Sequence, residues 1–291
     1  MTNTMSMKIL LLSLLSIAAQ AQWVNYRTPG TPRTPDGKAD LRARTPKALD
    51  GKPDLSGVWM HEVTTPAEMK RLFGKRIDEA IAVDVPGMEI GTQHKYAFDI
   101  LVDHKSDEGL LRPEAVERLQ KNAAAINLNG CPASGDPVFS SAPAFPLMGL
   151  LSEPIKIVQA PQLTMVLYEA GNLHRQIHTD GRQLSKEFDL PAFNGYSAGR
   201  WEGDTLMVET AGFNDKTPLD AAGHPHSDAL HVTERFHRRD FGHLDYEITF
   251  DDPKMYTKPF TVKIPHELLA DTDIFETYPE NEKDRAHMCK R

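Results

Sequence analysis

From Pro154 onward the apolar residues of this chain recur at every second position, a period that suits strands burying one face. Ile155 to Val158, Leu163 to Glu169, Leu173 to Thr179, Tyr196 to Trp201, Thr205 to Thr210, Leu230 to Arg238, Leu244 to Phe250 and Phe260 to Ile264 read as successive strands. Turn chemistry separates them, at Ala170-Gly171-Asn172, Thr179-Asp180-Gly181, Glu202-Gly203-Asp204 and Asp240-Phe241-Gly242. Asp-Gly and Gly-Asp pairs between alternating strands favour tight hairpins and hence an antiparallel meander. About eight short strands in about 110 residues are expected to close into a barrel or a sandwich, because an open sheet of that size leaves its edges exposed.

Upstream the chemistry is different. Lys8, the apolar run Ile9 to Ala19 and the small-x-small Ala19-Gln20-Ala21 form the three regions of a signal peptide, so residues 1–21 are expected to be removed and the mature chain to start at Gln22, in the periplasm or outside the cell. The apolar run, about 11 residues, is too short to span a hydrocarbon core of about 30 Å. Residues 22–54 form an arm rich in Pro, Thr and Gly that cannot fold alone. Within it Thr31-Pro-Arg-Thr-Pro-Asp-Gly-Lys-Ala-Asp-Leu41 recurs as Thr45-Pro-Lys-Ala-Leu-Asp-Gly-Lys-Pro-Asp-Leu55. Two Asp-Gly turn units suit either a strap laid on the domain or a duplicated flexible spacer. Residues 55–150 hold a first strand near Trp59, two flanking helices and a Pro-rich loop. The helices start at Thr65-Pro66 and Arg112-Pro113, each with Pro at the first helical position. Residues 151–284 make the β domain and 285–291 a tail.

The formal charge of −8 with no long basic run argues against nucleic acid and against an anionic membrane surface. A small-molecule partner fits better. Cys131 and Cys289, the two cysteines, lack a C-x-x-C neighbour, which makes a thiol-redox or zinc-thiolate site a poor fit, and spacing alone leaves their pairing open. No dinucleotide or phosphate-loop glycine pattern occurs, so no organic cofactor is expected.

Strand alternation singles out two charged residues. Glu234 shares a face with Leu230, Val232 and Phe236, and Arg175 shares one with Leu173 and Ile177. With both faces inward, a carboxylate and a guanidinium lie in one interior, as ligand contacts, as an acid/base pair, or as an internal ion pair fixing strand register. Tyr196, Trp201 and Arg235 complete the expected ligand-binding set. In Gly223-His-Pro-His-Ser-Asp228, His224, His226 and Asp228 are two apart, a spacing for metal ligation with His231 as third nitrogen, for a catalytic His226–Asp228 dyad beside Glu234, or for a hydrogen-bonded turn. A divalent metal at His224, His226 and His231 is the one cofactor this pattern offers. Ser197 sits in Gly195-Tyr-Ser-Ala-Gly199, but the strand and hairpin that follow are the wrong setting for a nucleophile elbow.

Gly57-Val-Trp59 stands where a first strand enters, as does the Gly-x-Trp of lipocalin-like barrels, and on this resemblance the barrel is expected to be calycin-like. Asp180-Gly-Arg182, Gly195-Tyr-Ser-Ala-Gly-Arg-Trp-Glu-Gly-Asp-Thr-Leu206, Gly212-Phe-Asn-Asp215, Gly223-His-Pro-His-Ser-Asp228 and Thr233-Glu-Arg-Phe236 resemble the motifs of a family of exported proteins abundant in soil bacteria. The likeness runs from Pro53 to Asp284 and implies export without a reaction. Relatives often carry a Cys before the Glu-Asn-x-x-Asp stretch, where this chain has Tyr278-Pro279-Glu280-Asn281, a departure that weighs against a Cys131 disulfide. The expected function is binding of a small, partly apolar molecule through Arg175, Glu234, His226 and Asp228. The alternatives are an acid/base enzyme of lyase or isomerase type, metal-dependent in one version, and a structural envelope protein whose arm docks a partner.

Overall fold

The computed structural model describes residues 26–74, 94–105, 109–125, 144–150, 153–169 and 172–275. The expected signal peptide, Cys131, Cys289 and the expected tail lie outside them. Among the described residues ten strands form, β1 Gly57–His61, β2 Ile155–Ala160, β3 Leu163–Tyr168, β4 Leu173–His178, β5 Tyr196–Glu202, β6 Thr205–Ala211, β7 His231–Arg238, β8 His243–Asp251, β9 Phe260–Lys263 and β10 His266–Leu268. Neighbours in sequence pair from β1 to β9, while β10 joins β1 to β8 and closes a nine-stranded barrel with β9 alongside. Among the described residues no helix is long and apolar enough to cross a membrane.

One seam corrects the expectation of a purely antiparallel barrel. β4 and β5 run parallel and share only a short ladder, Ile177 with Ser197 and His178 with Ala198. A parallel pair needs a crossover of about a dozen residues or more, and the stretch from Thr179 to Gly195 supplies it. The Asp180-Gly181 turn therefore opens a long excursion instead of a hairpin. β10 was not read from the sequence because Pro265 lacks the N–H a ladder needs and His266 puts a polar side chain on the inward face; in the structure β10 continues the register of β9 along β8.

Helix α1, Pro66–Phe73, is capped by the Thr65 side chain accepting from Glu68 N–H, and it buries Met69 against Phe73 and Phe98. A single turn, α2 Lys95–Phe98, follows, and α3 spans Pro113–Ala125. Asn122 of α3 donates to Gly223 O at 2.9 Å, tying α3 to the loop before β7.

At one end of the barrel Trp59 is completely buried and donates through Nε1 to Leu55 O at 2.9 Å. Arg238 lies over its indole, 4.8 Å from the ring centre, and donates to the carbonyls of Asp54, Ser56, Asp240 and Phe241. No carboxylate bonds this cation among the described residues, and burial pulls its pKa down to about 10. Gly57 explains its place in the Gly-x-Trp triplet: at φ +149° an added Cβ would sit 2.5 Å from Leu268 Cδ1.

The arm lies across this end. Each repeat copy closes the same turn, with Thr34 N–H to Lys38 O and Gly37 N–H to Thr34 O in the first, and Ala48 N–H to Lys52 O and Gly51 N–H to Ala48 O in the second. Main-chain bonds from Phe241 to Ala43 O and from Gly242 to Leu41 O hold the segment between them. Asp271 anchors the first unit through a two-pronged pair with Arg33, 2.5 Å at each contact, and through Thr28 N–H. The Arg33 bonds hold the Asp271 carboxyl down at about 2, below its ordinary 3.8. A carboxylate lowered on folding contributes above its unfolded value and loses that contribution as pH falls through the folded one. Protection of the amides in the first turn unit, read by hydrogen exchange, is thus expected to persist at pH 4 and to fall toward pH 2. Asp271→Asn, which keeps a residue able to adopt the φ of 62° found there, should lose that protection already at pH 7. Unchanged protection in the variant would show that the anchor is not this pair.

Candidate functional site

Alternation on β4 and β7 turns Arg175 and Glu234 inward, where both are almost completely buried and form a two-pronged ion pair. Arg175 Nη1 donates to Glu234 Oε1 at 2.9 Å and Nη2 to Oε2. Its remaining donors reach the neighbouring strands: Nε to Ser197 Oγ on β5 at 3.0 Å, and Nη2 to Thr210 Oγ1 on β6 at 2.9 Å. On β8 the Tyr246 hydroxyl donates to Glu234 Oε1 at 2.7 Å. The Phe145 ring, brought in by the loop before β2, covers the guanidinium at 3.7 Å. Burial opposes the Arg175 charge, but the Glu234 carboxylate more than offsets it, so the guanidinium is held above its ordinary value. Burial first, and then Glu234, push the Tyr246 phenol well up; burial pushes Tyr168, on the other side of Arg175, up to about 12. The result is a polar row crossing five strands with its charges matched internally.

At the parallel seam two members of this row, Arg175 and Ser197, lie buried beneath the outer face of the sheet. The excursion between β4 and β5 folds over their outer faces and leaves a cleft of about 860 Å³, with Arg175 and Ser197 among its lining residues. Its walls include Phe188 and Tyr196, which stack with ring centres 5.4 Å apart, and its rim includes His174 and His178. Two contacts hold the excursion in place. Tyr196 OH donates to Leu190 O at 2.7 Å, and Phe188 covers Gly212, where an added Cβ would meet its ring at 2.5 Å. Asn194 Oδ1 accepts from Phe145 N–H at 2.9 Å, linking the cleft wall to the ring over Arg175. Leu190, Phe193 and Tyr196 are exposed apolar side chains here.

The other expected residues lie apart. Trp201 is half-buried and packs against the core, while Arg235 points outward from β7 toward Glu247 and Met207. His226 is buried, with Nδ1 3.1 Å from Ser227 O and Nε2 3.1 Å from Thr217 Oγ1. A carbonyl only accepts, so Nδ1 carries the proton and Nε2 accepts from Thr217. Burial lowers the His226 pKa. Asp228 is exposed and pairs with Lys254 at 2.6 Å, and Ser227 is held by Asp252. His224 binds Asp220 at 2.6 Å; burial opposes its charge, but Asp220 prevails and raises its pKa. His231 sits opposite Asp251 at the start of β7. Among the described residues His224, His226 and His231 thus form no shared ligand group, and Glu234, His226 and Asp228 bond to different partners.

Among the described residues, Asp99, Asp220 and His224 bring three potential ligand atoms close together. Asp220 is already saturated, accepting from the N–H groups of Ile100, Gly223 and His224 and bonding the His224 ring, which is the chemistry of a loop staple. Sequence patterning missed Phe145, Phe188, Asn194 and Tyr246 as site residues. Tyr246 alone carried a signal, as a hydroxyl on the inward face of β8. Compared with family models, with curated proteins and with solved structures, the chain has no match.

Removing one member of a buried pair strands the other charge, whereas replacing both by apolar residues does not. Arg175→Leu is expected to cost about 3–5 kcal/mol of stability, and Arg175→Leu with Glu234→Leu to recover most of that loss. Denaturant unfolding of the two variants measures both quantities. A double variant as unstable as the single one would mean that the pair contributes net stability of its own.

Proposed function

We propose that this is an exported protein whose calycin-like barrel binds a small, partly apolar molecule in the cleft at the parallel seam. One observation carries the reading: the stacked rings of Phe188 and Tyr196 and the exposed apolar side chains of Leu190 and Phe193 frame a cleft of about 860 Å³ whose rim carries His174 and His178. Ligand sites are typically concave and largely apolar, with a few placed polar groups that orient the guest. Here Tyr196 and Phe188 supply the stacking surface, and His174 and His178 supply polar contacts at the rim. Arg175 and Ser197 back the wall from the buried side, with the Arg175 charge met by Glu234. The signal-peptide pattern and the likeness to exported soil-bacterial proteins support a periplasmic or secreted location. The Gly-x-Trp floor supports a calycin-like reading, from which the parallel seam departs.

The acid/base alternative fits less well, because both Glu234 oxygens already accept hydrogen bonds from Arg175 and Tyr246.

The probe is 1-anilinonaphthalene-8-sulfonate, an apolar ring system with one charge, titrated against the folded mature protein. Saturable binding is expected, weakened about tenfold, or about 1.4 kcal/mol, in Tyr196→Ala and abolished in Ala198→Trp, which fills the cleft. Near-ultraviolet circular dichroism checks that both variants stay folded. Equal affinity in wild type and both variants would contradict the cleft as the site.

A further inference from the structure

β4 is paired along the whole of one edge and along little of the other. Its ladder with β3 runs from Leu173 to His178, whereas its ladder with β5 holds only Ile177 with Ser197 and His178 with Ala198. In an antiparallel pair, alternate residues turn both main-chain groups toward the partner, and Thr179 N–H donating to Gln162 O fixes the phase here. Arg175 and Ile177 therefore bond β3, while His174, Gln176 and His178 present their N–H and C=O groups to the other edge. The short parallel ladder takes up His178 and the Gln176 carbonyl. The His174 N–H and C=O and the Gln176 N–H lie beyond it, and among the described residues no main-chain group bonds them.

The chain that would extend β5 backward along this edge is diverted. Ala192 pairs with Phe213, just past β6, and Gly195, at φ +59°, turns the chain from there into β5; an added Cβ would sit 2.9 Å from Ala211 O. The strand position beside β4 is thereby the cleft, lined by His174 and Gln176 on one side and by Asn194, Gly195 and Tyr196 on the other. An open sheet edge is a template for another extended chain, whose main-chain bonds give affinity and whose alternate side chains give selectivity. We propose that the guest of this cleft is a short extended peptide with aromatic or aliphatic side chains, which adds to β4 as a strand segment of about three residues, roughly 10 Å long. This rests on the cleft being the binding site and names the class of its guest. A peptide C=O accepts from the Gln176 N–H, a peptide N–H donates to the His174 C=O, and one side chain lies against the stacked rings of Phe188 and Tyr196.

Hydrogen exchange of the mature protein, followed by NMR, reads this edge directly. Without peptide, the His174 and Gln176 amides are expected to exchange rapidly, and those of Arg175 and Ile177, bonded to β3, slowly. Saturating N-acetyl-Tyr-Val-Tyr-amide should slow the His174 and Gln176 amides by roughly tenfold or more. The analogue N-methylated at every residue keeps the side chains without their main-chain donors, and should bind roughly tenfold or more weakly. Gln176→Pro removes an N–H that faces away from β3, so the variant should fold, as near-ultraviolet circular dichroism checks, and lose the peptide. Protection of His174 and Gln176 before any peptide is added, no gain of protection at saturation, or equal binding of the methylated analogue would each overturn the proposal. Naphthalenesulfonate held in the cleft with no binding of the peptide would also overturn it and leave the cleft standing as the site. Failure of both ligands to bind would remove the cleft and the peptide together.

Discussion

The Arg175–Glu234 pair joins two strands, β4 and β7, that are not neighbours in the sheet, and its hydrogen bonds recruit the two strands between them and β8 beyond. A buried guanidinium is tolerable only with its donors met, and those donors reach β5, β6 and β7 at once. A slip of one residue in any of these strands would turn Ser197, Thr210 or Glu234 to the outside and leave charge stranded. The pair therefore works against alternative registers more than it adds net stability, since buried pairs are costly to desolvate. It also makes the parallel seam workable. The β4–β5 ladder is short, and the Arg175–Ser197 bond supplies a side-chain cross-link beside it.

Arg238 solves the same problem differently. It continues the inward face of Glu234 and Phe236 toward the end of the barrel, but its donors meet four main-chain carbonyls and its flat face meets Trp59. Those carbonyls come from the chain entering β1 and from the turn after β7, so one cation ties the start of the barrel to its later strands. The arm then packs over the turn at Phe241 and Gly242, where an added Cβ would sit 2.4 Å from Leu41. One end of the barrel is thus closed by contacts that involve no long-range hydrophobic pattern, while the seam on the β4–β5 side keeps a cleft.

Much of this was legible in the sequence. Period-two alternation located the strands, and it turned Glu234 and Arg175 to the inside because a strand has only two faces. The parallel pairing was hidden, because Asp180-Gly181 looks the same whether it ends a hairpin or starts a crossover. The Gly223-His-Pro-His-Ser-Asp228 segment misled for a related reason: residues two apart share a face only in extended chain, and here the main-chain N–H groups of Gly223, His224 and Ser227 donate to the Asp220 and Asp252 carboxylates and bend the segment into turns. Phe145 stands in a Pro-rich stretch without periodicity, so nothing marked it as the cover of Arg175.

On the proposed reading the polar row backs the cleft at the parallel seam, and the guest binds in that cleft. NMR perturbation mapping with the saturating naphthalenesulfonate probe tests it most directly. The account predicts shifts in the backbone amides of residues 182–198 and in the Arg175 Nε–H signal, with the outer faces of β7 and β8 unmoved. Shifts confined to those outer faces, or to the arm over the Trp59 end, would contradict it.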